Sequence, residues 1–320
     1  MKTSFINRQM LPLLVEPDER DENRSGREQI FRLSLRQDDL RDKLLEHGAL
    51  LLRGFPALDP PAFAEFVRRF SGSAPLSYAG GASPRINLGG GVYTSTEYPG
   101  HYALSLHNEM SYTSHWPQHL FFYCAIAPEQ GGETPLADSR RVLKKIDAEV
   151  VEQFKSRKIK YVRNLQGGSG TGYSWQEAFE TEDRSVLENL CRAACIDWTW
   201  RADGGVRLTE VRPATAVHPL TGEEVWFNQA ESFHPSASGE TAVDAELNSA
   251  VREDELRLNA FHGDGNALSL SALEHIREVT RAEAAFFDWR AGDILIVDNM
   301  LACHGRMPFT GARKVLLAMT

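Results

Sequence analysis

The chain has 320 residues, 42% of them hydrophobic, enough to bury the core of one large domain. Its formal charge of −9 and pI near 5.6 exclude a general affinity for nucleic acid or anionic membrane, whose phosphates select basic faces. Small-molecule chemistry is therefore the expected class, and Cys124, Cys191, Cys195 and Cys303, with no CxxC pair, read as reduced core thiols of a cytoplasmic protein.

The start, MKTSFINRQMLPLLVEP, has an apolar run of only about five residues, too short for a signal h-region. Nothing later approaches the ~18 apolar residues of a membrane span. Residues 16–29 (EPDERDENRSGREQ) are charged and poor in apolar side chains, so residues 1–30 are expected to form a mobile N-terminal segment ahead of one domain over 31–320. DDLRDKLLEH, Asp38 to His47, suits an amphipathic helix, and Gly48 releases the chain into the strand-like ALLLRGF. Residues 80–100 are crowded with Gly, Pro and Ser and predict a long loop of the functional kind.

Further on, helices are predicted from Ser139 to about Lys155, from Trp175 to Ala194 behind the capping box Ser174-x-x-Glu177, and after Ser271-x-x-Glu274. Short runs rich in β-branched and aromatic residues separate them: HLFFYCAIA, IKYVRNL, EVWFNQ, DILIVDN and KVLLAM. With no internal repeat, the pattern reads as a β-core decorated by helices, mainly β in an α+β class.

His107-Asn108-Glu109 places an imidazole and a carboxylate two residues apart, on one face if the segment is a strand. Two histidines and a carboxylate bound facially suit iron(II), because three octahedral positions stay open for other ligands and dioxygen. His304, after the strand-like DILIVDN and before Gly305 and Arg306, is the candidate second histidine. HxE alone is weak: His262-Gly263-Asp264 is a rival match, although its flanking glycines are explained by a turn. Arg313 lies nine positions after His304, where a guanidinium can take a carboxylate bidentately, and Thr134 lies 27 positions after His107 with a hydroxyl to add.

HNEMSYTSHWPQHLFFYC, GGETPLADSR, SWQEAF, VWFNQAESFH, FHGDGNAL, WRAGDILIVDN and CHGRMPFTGARKVLLAM, in this order, resemble the taurine dioxygenase/clavaminate synthase superfamily of iron(II), 2-oxoglutarate oxygenases. The subgroup like the aspartate β-hydroxylase of syringomycin biosynthesis is the nearest in pattern, and the match runs from about LLRGF to the C-terminus. The resemblance implies a double-stranded β-helix, or jelly roll, with outer helices and inserts over the active site. It implies His107, Glu109 and His304 as iron ligands and Thr134 and Arg313 as binders of the distal carboxylate of 2-oxoglutarate, with O2 as the other cosubstrate. It also assigns HGDG to a structural turn.

Sulfonate-using relatives carry a second arginine four residues beyond the cosubstrate arginine; Leu317 stands there, which argues against taurine. Glu109 argues against halogenation, since halogenating relatives replace this carboxylate with a small residue. Substrate contacts are sought at Asn228, Gln229, Glu231 and Arg306, with the Tyr93 to Tyr98 loop near them, and a glutamate facing an amine suits an amino acid. The expected reaction is hydroxylation of an amino acid, free or tethered to a carrier protein, in natural-product biosynthesis; desaturation or cyclisation would use the same ligands. No nucleic acid or membrane partner is expected, and a homo-oligomer is left open. A nucleotide-binding reading of IKYVRNLQGGSGTGYSWQEAF lacks the full GxGxxG spacing, and a non-catalytic jelly-roll binding protein would have no use for the complete triad plus Arg313.

Overall fold

Alternation along His119–Ile126 sets the architecture: Leu120, Phe122 and Cys124 enter one apolar cluster, while Phe121 and Tyr123 enter another on the opposite face. This strand lies near the middle of a seven-stranded sheet in the order Lys2–Phe5, Leu13–Glu16, Ala49–Leu52, Ile294–Asp298, His119–Ile126, Lys314–Met319 and Val92–Thr94. All pairings are antiparallel except that of Leu13–Glu16 with Ala49–Leu52. The helix Pro60–Ser71 covers the outer face, packing Phe66 and Phe70 edge-on against Phe121 at 6.4 and 5.6 Å. Each such buried aromatic contributes about 1.5–3 kcal/mol. The computed structural model describes residues 1–18, 33, 36–168, 172–237 and 255–320.

The inner face looks onto a three-stranded sheet, Leu104–His107, Ala302–Arg306 and Leu136–Asp138, with Phe122 lying 5.1 Å from the His304 ring across the gap. This mainly β arrangement with outer helices is the jelly roll that the resemblance implies. An added four-stranded sheet, Asp197–Trp200, Val206–Arg212, Ile159–Leu165 and Leu258–His262, lies beside it. Its Arg163, buried, pairs with Glu210 at 3.0 Å and donates to the Gly80 carbonyl at 2.6 Å, tying the sheet to the loop that borders the site.

Several expectations need correction. Against a mobile segment over 1–30, Lys2–Phe5 and Leu13–Glu16 add two strands to the large sheet, because Leu13, Leu14 and Val15 find buried places there. Residues 19–30 lie outside the described ones. The helix from Ser139 is two, Ser139–Lys145 and Ala148–Arg157, interrupted where Ile146 and Asp147 turn extended. The next is also two, Trp175–Phe179 and Arg184–Ala194, because Glu180 adopts a left-handed conformation and Asp183 caps the restart. Ser269, not Ser271, caps Leu270–Glu283. Cys195 terminates its helix and is exposed, so it is no core thiol; all four cysteines are free. The helix Gln37–His47 and the release at Gly48, with φ 77°, are as read.

Candidate functional site

His107 and His304 are direct cross-strand partners on Leu104–His107 and Ala302–Arg306, with ring centroids 4.5 Å apart. The predicted position of His304 beyond a strand end is thus revised: it is buried in mid-strand. Just after it the pairing slips, so that Arg306 faces Leu104. Only glycine fits at 305, since a Cβ would meet the Leu104 carbonyl oxygen at 2.6 Å.

Glu109 reaches the same point by a route the alternation argument missed. The strand ends at His107, and Glu109 sits in the following turn, where Met110 has φ 56°. Asn299 holds that turn: its Oδ1 accepts from the Glu109 amide at 2.7 Å, and its Nδ2 donates to the carbonyls of Glu109 at 2.9 Å and Pro117 at 2.8 Å. One ligand atom from each of His107, Glu109 and His304 lies within 4.8 Å of the others, and among the described residues no other trio of His, Cys, Asp or Glu does this. His262 and Asp264 are apart from it, with Asp264 paired to Arg157 at 2.9 Å and His262 packed on Phe154.

The donor chemistry fits a divalent cation. Nδ1 of His107 donates to the Ser105 carbonyl at 2.8 Å, which fixes the tautomer and leaves Nε2 as a lone-pair donor. Burial, with His107 and the Arg85 guanidinium close by, holds His304 neutral, and its buried Nδ1 has no hydrogen-bond partner. The Glu109 carboxylate accepts from Tyr78 Oη at 3.1 Å and from Arg85 Nη2 at 2.8 Å. Burial pushes the Tyr78 hydroxyl far up, so it donates and does not ionise.

One cavity joins both histidines to Thr134 and Arg313, the two residues read as carboxylate binders. Thr134 is buried, and its hydroxyl accepts from Trp289 Nε1 at 3.1 Å. Arg313 donates to the Gly132 carbonyl at 3.2 Å and to Ser95 Oγ at 3.4 Å, and no carboxylate of the described residues pairs with it. Burial, with the neighbouring charge of Arg306, pulls its guanidinium down to about 10. A part-buried cation with no carboxylate partner among the described residues is suited to receive an anion.

The substrate-side candidates divide. Arg306 is committed to backbone, donating to the carbonyls of Tyr98, Pro99 and Tyr102 at 2.8–2.9 Å, so it holds a loop over the cavity instead of offering its charge to a substrate. Asn228 bridges the Ala214 carbonyl and the Ala230 amide, the capping role that competed with its functional reading. Gln229 borders a pocket beside His107, Glu109 and Tyr112. That pocket shares Leu104, Ser105, Gln229 and Ser232 with a larger cavity of about 330 Å³, lined by Leu106, Trp226, Ile276 and Phe286 and bordered by Glu231. Glu231 is paired with Arg277 at 2.7 Å, and burial raises its carboxyl. Tyr78, Arg85, Trp289 and Asn299 were missed, although the last two stand in the segment WRAGDILIVDN that the pattern had already singled out.

The model of the taurine catabolism dioxygenase TauD, TfdA family matches residues 22–320. The chain is 39% identical over 276 residues to the dapdiamide synthesis protein DdaC of Enterobacter agglomerans, covering 86% of this chain and 83% of that one. It is 31% identical over 288 residues to a clavaminate synthase-like protein of Arabidopsis thaliana, covering 87% and 83%. Among solved structures, PvcB of Pseudomonas aeruginosa, an iron, α-ketoglutarate dependent oxygenase, aligns with a TM-score of 0.53 at 18% identity over 96% of this chain and 84% of that one. AAD-2, solved with Mn(II) and N-oxalylglycine, aligns with a TM-score of 0.54 at 11% identity over 100% and 97%. At these identities the two structures speak for the fold. No helix among the described residues is long and apolar enough to cross a membrane.

Proposed function

The chain belongs to the taurine catabolism dioxygenase TauD, TfdA family, and from that premise we propose that it hydroxylates an unactivated C–H bond of an amino acid, free or tethered to a carrier protein. It is an iron(II)- and 2-oxoglutarate-dependent dioxygenase acting on a small molecule. In this reading His107, Glu109 and His304 hold the metal, and Thr134 and Arg313 take the distal carboxylate of 2-oxoglutarate. Iron(II) held there would supply open coordination positions for 2-oxoglutarate and O2, one oxygen atom of O2 ending in succinate as CO2 leaves and the other in the hydroxylated substrate.

What the chain itself does is position and shield. His107 is oriented by the Ser105 carbonyl, Glu109 by Asn299, Tyr78 and Arg85, and the carboxylate end of the keto acid by Arg313. Phe122 packs on His304 and keeps water from that side. A carbon misplaced by about 1 Å would cost ~100-fold in rate, so these second contacts matter to the rate as well as the ligands.

The single observation carrying the reading is that the in-register histidine pair, with Glu109 close by, lines a cavity with a part-buried arginine that no carboxylate of the described residues neutralises. Support for an amino-acid substrate comes from Glu231 beside the larger cavity, and support for natural-product biosynthesis from the similarity to a dapdiamide synthesis protein. Leu317 is fully buried in the large sheet, opposite Phe122, so this position offers no charge for a sulfonate. We place the enzyme in the cytoplasm, on its four free thiols. Purified protein given iron(II), ascorbate, 2-oxoglutarate and oxygen should release succinate slowly, and His304→Ala should not. Mass spectrometry over free amino acids and their carrier thioesters should then show a product heavier by one oxygen; a product lighter by two hydrogens would replace hydroxylation by desaturation or cyclisation.

A further inference from the structure

Arg85 comes from the glycine-rich loop ahead of Val92–Thr94 and is buried, with its guanidinium 4.5 Å above the Tyr78 ring and 2.8 Å from Glu109 Oε2. It lines the same cavity as Thr134, Arg313 and the two histidines. That cavity therefore carries a guanidinium beside the distal-carboxylate site and another beside the metal ligands. The larger cavity that Glu231 borders has neither arginine in its lining.

2-Oxoglutarate carries two carboxylates, and only one is accounted for by Arg313 and Thr134. We propose that Arg85 is a second carboxylate-binding group of this cavity, shared between Glu109 and the metal-proximal carboxylate of 2-oxoglutarate. The inference rests on the metal and cosubstrate assignments proposed above.

The electrostatics give the proposal a definite sign. As the structure stands, Arg85 and Glu109 neutralise each other. A divalent cation arriving at Glu109 places two positive charges against a guanidinium in a buried site, so Arg85 opposes binding of the metal alone. A ligand carboxylate arriving next to both cations is attracted by both. A guanidinium presents five N–H donors in a planar fork and can serve two carboxylates together. Arg85 thus makes metal and 2-oxoglutarate binding cooperative, and the coupling must be the same in either order of addition.

A residue that merely orients Glu109 would behave oppositely, since its removal would loosen the metal. The experiment uses full-length protein and Mn(II), with calorimetric titration of Mn(II) alone and then of 2-oxoglutarate and oxalate into the Mn(II)-loaded protein. Arg85→Gln should weaken 2-oxoglutarate by about tenfold or more while Mn(II) alone binds as well or more tightly. Oxalate can occupy only the metal end, so it should weaken with Arg85→Gln and not with Arg313→Met. Arg85→Lys, which keeps the charge without the fork, should fall between, and carries the test should the glutamine variant not fold.

Unchanged 2-oxoglutarate binding, within twofold, in a variant that still takes Mn(II) overturns the proposal. So does a loss of 2-oxoglutarate affinity that only follows an equal loss of Mn(II). If the wild-type protein binds neither Mn(II) nor 2-oxoglutarate, the underlying assignments fall and this one with them, a result distinct from a normal wild type with an indifferent Arg85 variant.

Discussion

Replacing Arg313 by methionine separates affinity from stability. Its guanidinium is held at about 10 instead of 12.5, which corresponds to on the order of 3 kcal/mol disfavouring the charged form in the folded protein. Because the folded value lies below the unfolded one, this cost is present in full at pH below about 10 and is relieved only as pH rises from there; Arg313 adds no slope to stability near neutrality. Methionine removes the cost, keeps much of the volume and forfeits the bonds to Gly132 and Ser95, together about 1–3 kcal/mol. The two changes nearly offset, so the melting temperature should shift by no more than a few °C. The bound carboxylate loses two charge-assisted bonds of about 1.5–3 kcal/mol each, so 2-oxoglutarate affinity should fall by ~100-fold or more. Calorimetry on Mn(II)-loaded protein and thermal denaturation without ligand measure both. An affinity within threefold of wild type, or a variant that unfolds well before binding can be read, would refute the assignment of Arg313 as a strained anion receptor.

Asn299→Ala removes three buried hydrogen bonds, two to the Glu109 backbone and one to Pro117, and should cost about 2–4 kcal/mol of stability, with Mn(II) affinity reduced at least about tenfold; a wild-type melting temperature would show that the turn holds itself. Gly305→Ala forces a Cβ against the Leu104 carbonyl, so the histidine pair should lose register, and spectroscopic Mn(II) titration should find no high-affinity site. Glu231 has a carboxyl raised above 4.5 chiefly by burial, so the folded protein binds its proton more tightly than the unfolded chain and loses stability as pH rises from about 4.5 through the raised value. Glu231→Gln should therefore gain on the wild type as pH goes from acid to neutral in paired denaturant titrations, and a gap independent of pH would contradict the assigned burial.

The residues proposed to touch metal or cosubstrate were legible because chemistry restricts their type. Few side chains can hold iron(II), and the combination of His107, Glu109, His304, Thr134 and Arg313 carries information that no pair of them does. The strands were legible for a related reason: ALLL, LFFYC and ILIV are buried on both faces and need apolar residues throughout. Helix ends were not, because a run such as SRRVLKKIDAEVV satisfies helical periodicity on both sides of the break, and the interruption at Ile146 and Asp147 is decided by tertiary contacts, including the His275 side chain that accepts from the Asp147 amide.

The shell around the ligands stayed hidden for a different reason. Tyr78, Arg85 and Asn299 converge on Glu109 from 31, 24 and 190 residues away, so no local spacing announces them, and their residue types are ordinary on any surface. Alternation along a strand seemed to explain how His107 and Glu109 face one ion, yet the strand stops at His107 and the geometry is imposed by Asn299 and by Met110 in a left-handed conformation. The HxE pattern therefore supplies the candidate ligands, while the turn that brings them together is written elsewhere in the chain. The same division separates the residue sought for substrate contact at Arg306 from Arg85: both are buried arginines bordering one cavity, but Arg306 is spent on three backbone carbonyls and Arg85 on the carboxylate proposed as a metal ligand. Which of two arginines is available to a ligand is set by what each already holds, and that is a property of the fold.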